Sequence, residues 1–249
     1  VAPERAPLLI QSLNQRLVAI EALGVEATLV LPFDEFMSQI PAEAFVRGLA
    51  VDLGRLQSVC VGAHFAFGHQ RQGNVELLQQ LGTELNFVLH SLASVALDGE
   101  TVSSTRIRAA IAEGQLDAAG QMLGREYELA GIVVGGDGRG RELGFPTANV
   151  QVTGMCTPPH GVYAAHAEVA GETHRAAVNI GLRPTVAEPE PRLHVEAHLL
   201  EYLGDLYGSE LALTFVGKLR NEIAFDNYDD LRAQIEKDVA AAQAIFDKL

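Results

Sequence analysis

Two rhythms divide the chain. In its first half, apolar positions recur at helical spacing and alternate with short apolar runs. "SLNQRLVAIEALG" predicts a helix capped by Ser12 and stopped before Gly24. "PAEAFVRGLAVDLG" predicts another, with Pro41 in its first turn and Gly54 at its end. "NVELLQQLGTELN" follows, and "STRIRAAIAEG" and "QLDAAGQMLG" are shorter helices that close this half. "ATLVLPF", "QSVCVG" and "FVLHSL" are apolar runs of strand length. Strands alternating with helices argue for a parallel sheet whose faces are both covered.

From Tyr127 the period changes. "YELAGIVVGG", "GVYAAHAEVA", "THRAAVNIG", "RLHVEAHLL" and "ELALTFVG" are strand-like and separated by turn residues, and "VAGETH" places a glycine in a hairpin reversal. The next helical stretch is "DNYDDLRAQIEKDVAAAQAIFDKL", with an Asp or Asn cap. Its apolar stripe comprises Leu231, Ile235, Val239, Ala242, Ile245, Phe246 and Leu249. Antiparallel strands followed by one amphipathic helix predict a small closed β-barrel with a helix packed on it. The boundary falls near Gly124–Arg125, giving domains at 1–124 and 125–249.

Composition narrows the function classes. The 249 residues are 48% hydrophobic and 20% charged, as in a soluble globular protein. No apolar run reaches the roughly 18 residues that span a bilayer, and no signal peptide is visible, so no membrane association is expected. Starting at Val1, the chain is expected to begin inside a longer gene product. A net charge of −14 without a basic stripe argues against nucleic acid as partner. Cys60 and Cys156 are far apart and form no CxxC pair, which argues against a disulfide framework or cysteine zinc site and for a reducing cytoplasm.

Four segments carry candidate chemistry. "GGDGRG" fits neither the Rossmann nor the P-loop spacing, and none of the three lysines, Lys218, Lys237 and Lys248, follows a glycine-rich turn. A nucleotide here would be held by backbone N–H groups, arginine and a metal; the alternative is a glycine-rich turn. In "LGFPTAN", Thr147 and Asn149 share one side of an extended backbone, as neutral oxygen ligands suited to Mg²⁺. Pro146 and its effect on Phe145 stiffen that strand. The alternative is an edge strand with solvated polar residues. In "LHVEAHLL", Glu196 lies on the face opposite the core, between His194 and His198. A general base, a cupin-like metal triad and a solvated strand face all remain open. "SSTRIR" (Ser103–Arg108) opens a helix, as an anion site or a simple cap.

Taken together, "GRELGFPTAN", "GVYAA", "AVNIGLRPT", "VEAHLLEYLGDLYG" and "KLRNEIAFDNYDDLRAQIEKD" resemble riboflavin kinases in order and spacing. "LPFD", "VGAHFAFGHQRQGN" and "DGETVSSTRIR" resemble the FMN adenylyltransferase module of bacterial bifunctional riboflavin kinase/FAD synthetases. The resemblance implies an α/β plus β fold. An N-terminally truncated, incomplete doubly wound nucleotidyltransferase-like α/β domain at 1–124 precedes a riboflavin kinase β-barrel domain at 125–249.

The implied reaction moves the γ-phosphoryl of ATP to the riboflavin 5′-hydroxyl, giving FMN. Thr147 and Asn149 would bind Mg²⁺, and Glu196 would take the hydroxyl proton. Gly140, Arg141, Gly144, Pro146 and Asn179 would serve the nucleotide, and Arg220, Glu222 and Phe225 the flavin. Ser103, Ser104, Thr105 and Arg108 would be what remains of the adenylyltransferase site. The family's H-x-G-H element is absent from these residues, and His64 stands where the family often has an acidic or amide residue. The first half is therefore expected to expose apolar edges and to make little or no FAD.

Overall fold

The computed structural model describes residues 6–183 and 192–248, without the side chains of Arg183 and Arg192. Pro184 and Thr185 of the "AVNIGLRPT" segment and Leu249 of the terminal stripe lie outside the described residues. Two compact units are present. One contains Ala27–Val102; the other joins Pro7–Glu26 to everything from Ser103 onward.

Helix α1 (Leu13–Ala22) belongs to the second unit and forms as predicted. The Ser12 side chain accepts from Gln15 N while Gln15 caps back onto Ser12 N, a reciprocal capping box. None of its residues is buried; Gln15 and Asn14 tie it to Glu128 and Glu210 by side-chain hydrogen bonds of 2.7 and 2.6 Å.

The first unit holds α2 (Glu35–Ser38), α3 (Ala42–Asp52), β1 (Ser58–Gly62), α4 (Val75–Leu85) and β2 (Val88–Leu92), then the two-residue strands β3 (Ala96–Leu97) and β4 (Glu100–Thr101). Strands β1 and β2 pair in parallel, Ser58 opposite Val88 through Gly62 opposite Leu92. Val46, Leu78, Leu81 and Phe87 form its small core. Two expectations need correction. "ATLVLPF" forms no strand: Leu29, Val30, Leu31 and Phe33 are 64, 50, 43 and 68% exposed. Nor is the parallel pair covered on both faces, since Val88 and Leu92 are 59 and 56% exposed. A strand is a cooperative product of its neighbours, and an apolar run with no adjacent ladder leaves its backbone to water. Among the described residues the edges of this unit are apolar and open, as expected.

In the second unit α5 (Ser104–Ala112) and α6 (Leu116–Leu123) lead into a closed antiparallel barrel. Its strands are β5 (Glu128–Val134), β6 (Ala148–Gln151), β7 (Gly161–Val169), β8 (Glu172–Arg183), β9 (Arg192–Leu199) and β10 (Glu210–Arg220), in spatial order β10-β5-β6-β9-β8-β7. The β7–β8 reversal is the predicted hairpin, with Ala170 and Gly171 at φ +53° and +81°, the left-handed pair of a type I′ turn. Leu129, Val178, Ile180, Val195, Leu211 and Leu213 lie fully buried in the barrel.

A short helix, α7 (Arg139–Glu142), interrupts the glycine-rich loop between β5 and β6. The last helix, α8 (Tyr228–Phe246), is capped by Asn227 accepting from Asp230 N and packs on β7, β8 and β10. Ala242 and Phe246 join Ala164 and Ala177 in one apolar cluster. Burial outside as well as inside the barrel explains why the first five residues of β7 are buried without alternation. No helix of the described residues is long and apolar enough to cross a membrane.

Candidate active site

Three adjacent strands bring one polar residue each into a row. Asn149 of β6 is the direct partner of Glu196 of β9, and Glu196 is the direct partner of Asn179 of β8. Directly opposed residues in an antiparallel ladder point to the same side with Cβ atoms about 5 Å apart. Their strand neighbours Ala148, Val150, Val195, Ala197, Val178 and Ile180 are buried, while Asn149, Glu196 and Asn179 are half-buried on the other face. Thr147 precedes β6 and shares the Asn149 face by strand alternation.

One cavity is bordered by Glu196 and Asn179 of this row, a second lies on the far side of Thr147, and Asn149 lines neither. The larger, about 720 Å³, is lined by Glu196, Asn179, Gly140, Thr147, the segment 222–228 and one side of α8. The smaller, about 520 Å³, is lined by Arg141, Pro146, Thr147 and the loop 202–207. Thr147 is the one residue common to both. Arg220, Glu222 and Phe225 all line the larger cavity.

The glycine-rich loop is folded against Thr147 and Asn149. A Cβ on Gly136 would collide with the Asn149 amide, and one on Gly140 would lie 3.0 Å from Thr147 Oγ1. Phe145 N donates to Gly140 O at 2.7 Å, closing the loop back on itself, and Gly144 turns at φ +90°. This cradle leaves no room for a side chain at 136 or 140. Arg139 lines the larger cavity, Arg141 the smaller.

The wall formed by residues 221–227 is held by a buried ion pair that the sequence reading missed. Arg220 Nε and Nη2 grip Asp238 at 2.9 and 2.7 Å, and Gln234 Nε2 adds a third donor to that carboxylate at 2.9 Å. Arg220 Nη1 also donates to Asn221 O at 2.9 Å, and its guanidinium lies 6.0 Å from the Phe225 ring centre. Glu222 packs so tightly on Gly181 that a Cβ there would strike its carboxylate. Asp238, 6% exposed, lies between Ile235 and Ala242 on the packed side of α8. A lone carboxylate within an apolar stripe was the available signal, because such a charge must be paired.

The remaining expected residues lie elsewhere in the unit. Ser103 is the N-cap of α5, its hydroxyl accepting from Arg106 N at 3.2 Å, with Ser104 and Thr105 in the first turn. Arg108 Nε donates to Leu8 O at 2.6 Å. None of these lines either cavity. The histidine-carboxylate metal triad at His194, Glu196 and His198 finds no support: no group of three or more His, Cys, Asp or Glu side chains among the described residues is arranged to hold a metal. His198 is instead bound through Nδ1 to Pro146 O at 2.8 Å.

A riboflavin kinase family model matches residues 123–246, and an FAD synthetase family model matches residues 1–106. The chain is 39% identical to the bifunctional riboflavin kinase/FMN adenylyltransferase of Pseudomonas fluorescens, over 98% of this chain and 78% of that protein. The chain belongs to the bifunctional riboflavin kinase/FMN adenylyltransferase family. Its Haemophilus influenzae member is 35% identical, over 98% of this chain and 79% of its own length. A crystal structure described as a macrolide-efflux protein from Streptococcus pneumoniae superposes with a TM-score of 0.75 at 26% identity, covering 95% of this chain and 76% of that one. Both cavities and the polar row fall within the riboflavin kinase match. Most of α5 and α6 lies between the two matches.

Proposed function

We propose that the barrel transfers the γ-phosphoryl group of ATP to the 5′-hydroxyl of riboflavin, giving FMN and ADP. The observation that carries this reading is the direct pairing of Asn149 with Glu196, beside a threonine common to two cavities. Phosphoryl transfer demands chiefly in-line positioning and charge neutralisation. Two substrates entering from two cavities and meeting at Thr147 satisfy the first demand. The larger cavity, with Phe225, Ile223 and the apolar side of α8, suits an isoalloxazine ring; the smaller, with Tyr202, Leu206 and Tyr207, suits an adenosine.

Glu196 accepts the proton of the ribityl hydroxyl as that oxygen bonds to Pγ, and the Pγ–O bond to the β-phosphate breaks with ADP leaving. Backbone N–H groups of the 136–140 loop, with Arg139 and Arg141, orient the phosphates. Asn179, paired with Glu196, faces the larger cavity and orients the hydroxyl or the terminal phosphate. ATP with a divalent cation is the general requirement of such enzymes, and Mg²⁺ is the ion proposed here. Thr147 Oγ1 and Asn149 Oδ1 would hold it, and it would offset phosphate charge. The donor set fits: two neutral oxygens beside a glycine cradle suit a hard ion that draws its remaining ligands from water and phosphate.

The kinase module is proposed to span 125–249 and the adenylyltransferase-like module 1–124, with α5 and α6 at the end of the latter. Free Cys60 and Cys156 support a reducing, cytoplasmic setting. Without an H-x-G-H element, the polypeptide of these 249 residues is proposed to form FMN but not FAD. Incubation of the purified chain with riboflavin, ATP and Mg²⁺, followed by chromatographic separation of the flavins, tests both halves. FMN alone is expected. Substantial FAD would overturn the adenylyltransferase half, and absence of both products would reduce the chain to a flavin-binding relic.

A further inference from the structure

The β6–β9 ladder stops where the chemistry begins. Its paired residues are Val150 with Val195, Asn149 with Glu196 and Ala148 with Ala197. Continued by one step, the same register would set Thr147 opposite His198; by two, Pro146 opposite Leu199. Proline has no N–H, so the backbone cannot donate from residue 146. Thr147, which borders both cavities, therefore sits at a strand end that should fray.

We propose that His198 is a positioning residue whose imidazole extends the broken ladder by binding the Pro146 carbonyl, keeping Thr147 opposite the Glu196 strand. The Nδ1 to Pro146 O distance is 2.8 Å. A carbonyl only accepts, so Nδ1 carries the hydrogen. The ring is further steadied by Phe145, edge-on with centroids 5.6 Å apart and planes at 82°. Phe145 and Pro146 are thus both held by one side chain, immediately before Thr147. His198 also lines the larger cavity beside Glu196, so one residue couples the two strands that carry the proposed ligands and base.

The functional part of this inference rests on the kinase reading; the structural part does not. Two variants separate them. His198→Leu keeps the bulk and removes the donor, whereas His198→Asn keeps an N–H near the position of Nδ1. Amide hydrogen exchange of the peptide 145–151, measured on the nucleotide-free protein, should quicken about tenfold in H198L and stay near the unmodified rate in H198N, the scale of one hydrogen bond. Steady-state kinetics should show the KM for ATP raised about tenfold in H198L and largely restored in H198N. The KM for riboflavin, whose proposed cavity His198 also lines, should rise in H198L by less than the KM for ATP.

Unchanged exchange in H198L overturns the proposal, as does equal impairment of H198N and H198L. If H198L does not fold, H198N decides: normal exchange supports the role, rapid exchange overturns it. If the unmodified protein makes no FMN, the kinase reading fails on its own, and the exchange data alone judge His198.

Discussion

Leu211 and Leu213 of β10 are wholly buried between β5 and β7, whereas Leu29 and Phe33, in a run of similar apolar character, are 64 and 68% exposed. The contrast lies in the number of neighbours. Every barrel strand has a partner on each side, so backbone pairing and side-chain burial are gained together. In the other unit, among the described residues, β1 and β2 have only each other, and "ATLVLPF" has no ladder to join. Apolar character permits a strand; adjacency makes one. The same difference decides where chemistry resides. A polar row across three strands needs all three in register, and among the described residues only the barrel supplies that.

The largest expected effect would test whether the chemistry is confined to that row. Glu196→Gln keeps shape and hydrogen-bonding reach while removing the proton acceptor. FMN formation should slow by about 10²–10⁴-fold, the range of a lost general base, with riboflavin binding retained when followed by flavin fluorescence. An equally active variant would remove Glu196 from the role and, with it, the reason for locating the reaction on the barrel face.

A second pair of substitutions addresses the packing itself. Leu213→Ala empties a fully buried site and should cost about 2–5 kcal/mol in denaturant unfolding of the barrel. Phe33→Ala removes a larger side chain that is mostly in water, and should change stability by less than about 0.5 kcal/mol. Comparable losses from the two would mean that the first unit buries far more in solution than its open sheet implies.

Much of this arrangement was legible in the sequence because local and tertiary preferences agree. Ser12 caps its helix as expected, and Asn227 is the Asp or Asn cap expected of the last helix. The alternation of "LHVEAHLL" correctly sets Glu196 opposite the core, and the i, i+2 spacing of Thr147 and Asn149 puts them on its side of the sheet. What could not be read is what depends on partners distant in sequence. Periodicity cannot say which strands are adjacent, hence the failure at 27–33. Nor can it reveal that Asp238 of α8 answers Arg220 of β10, or that His198 binds a proline carbonyl 52 positions earlier. Those contacts arise only when the barrel closes, and they are the ones that shape the cavities.

The smallest effect concerns alkaline pH, where the two units again part. All five tyrosines lie beyond residue 102, so phenol titration acts on the barrel unit alone. Burial, and then the neighbouring Cys156, push the Tyr127 hydroxyl well above its ordinary value near 10. Its O–H donates to Cys156 O, which also favours the neutral form. A group with a raised folded value contributes stability that is complete below pH 10 and is lost as pH climbs toward that value, by about 1.4 kcal/mol per unit. Tyr127→Phe leaves the Cys156 carbonyl without its donor and should cost about 1 kcal/mol at neutral pH. Above pH 10 the unmodified protein loses what the variant never had. Burial also raises Cys156 and Tyr163, but both residues are retained in the variant and largely cancel in the difference. The two unfolding curves should therefore converge near pH 11, measured by urea midpoints at half-unit intervals. A constant gap across that range would show that Tyr127 reaches solvent and ionises without opening the barrel.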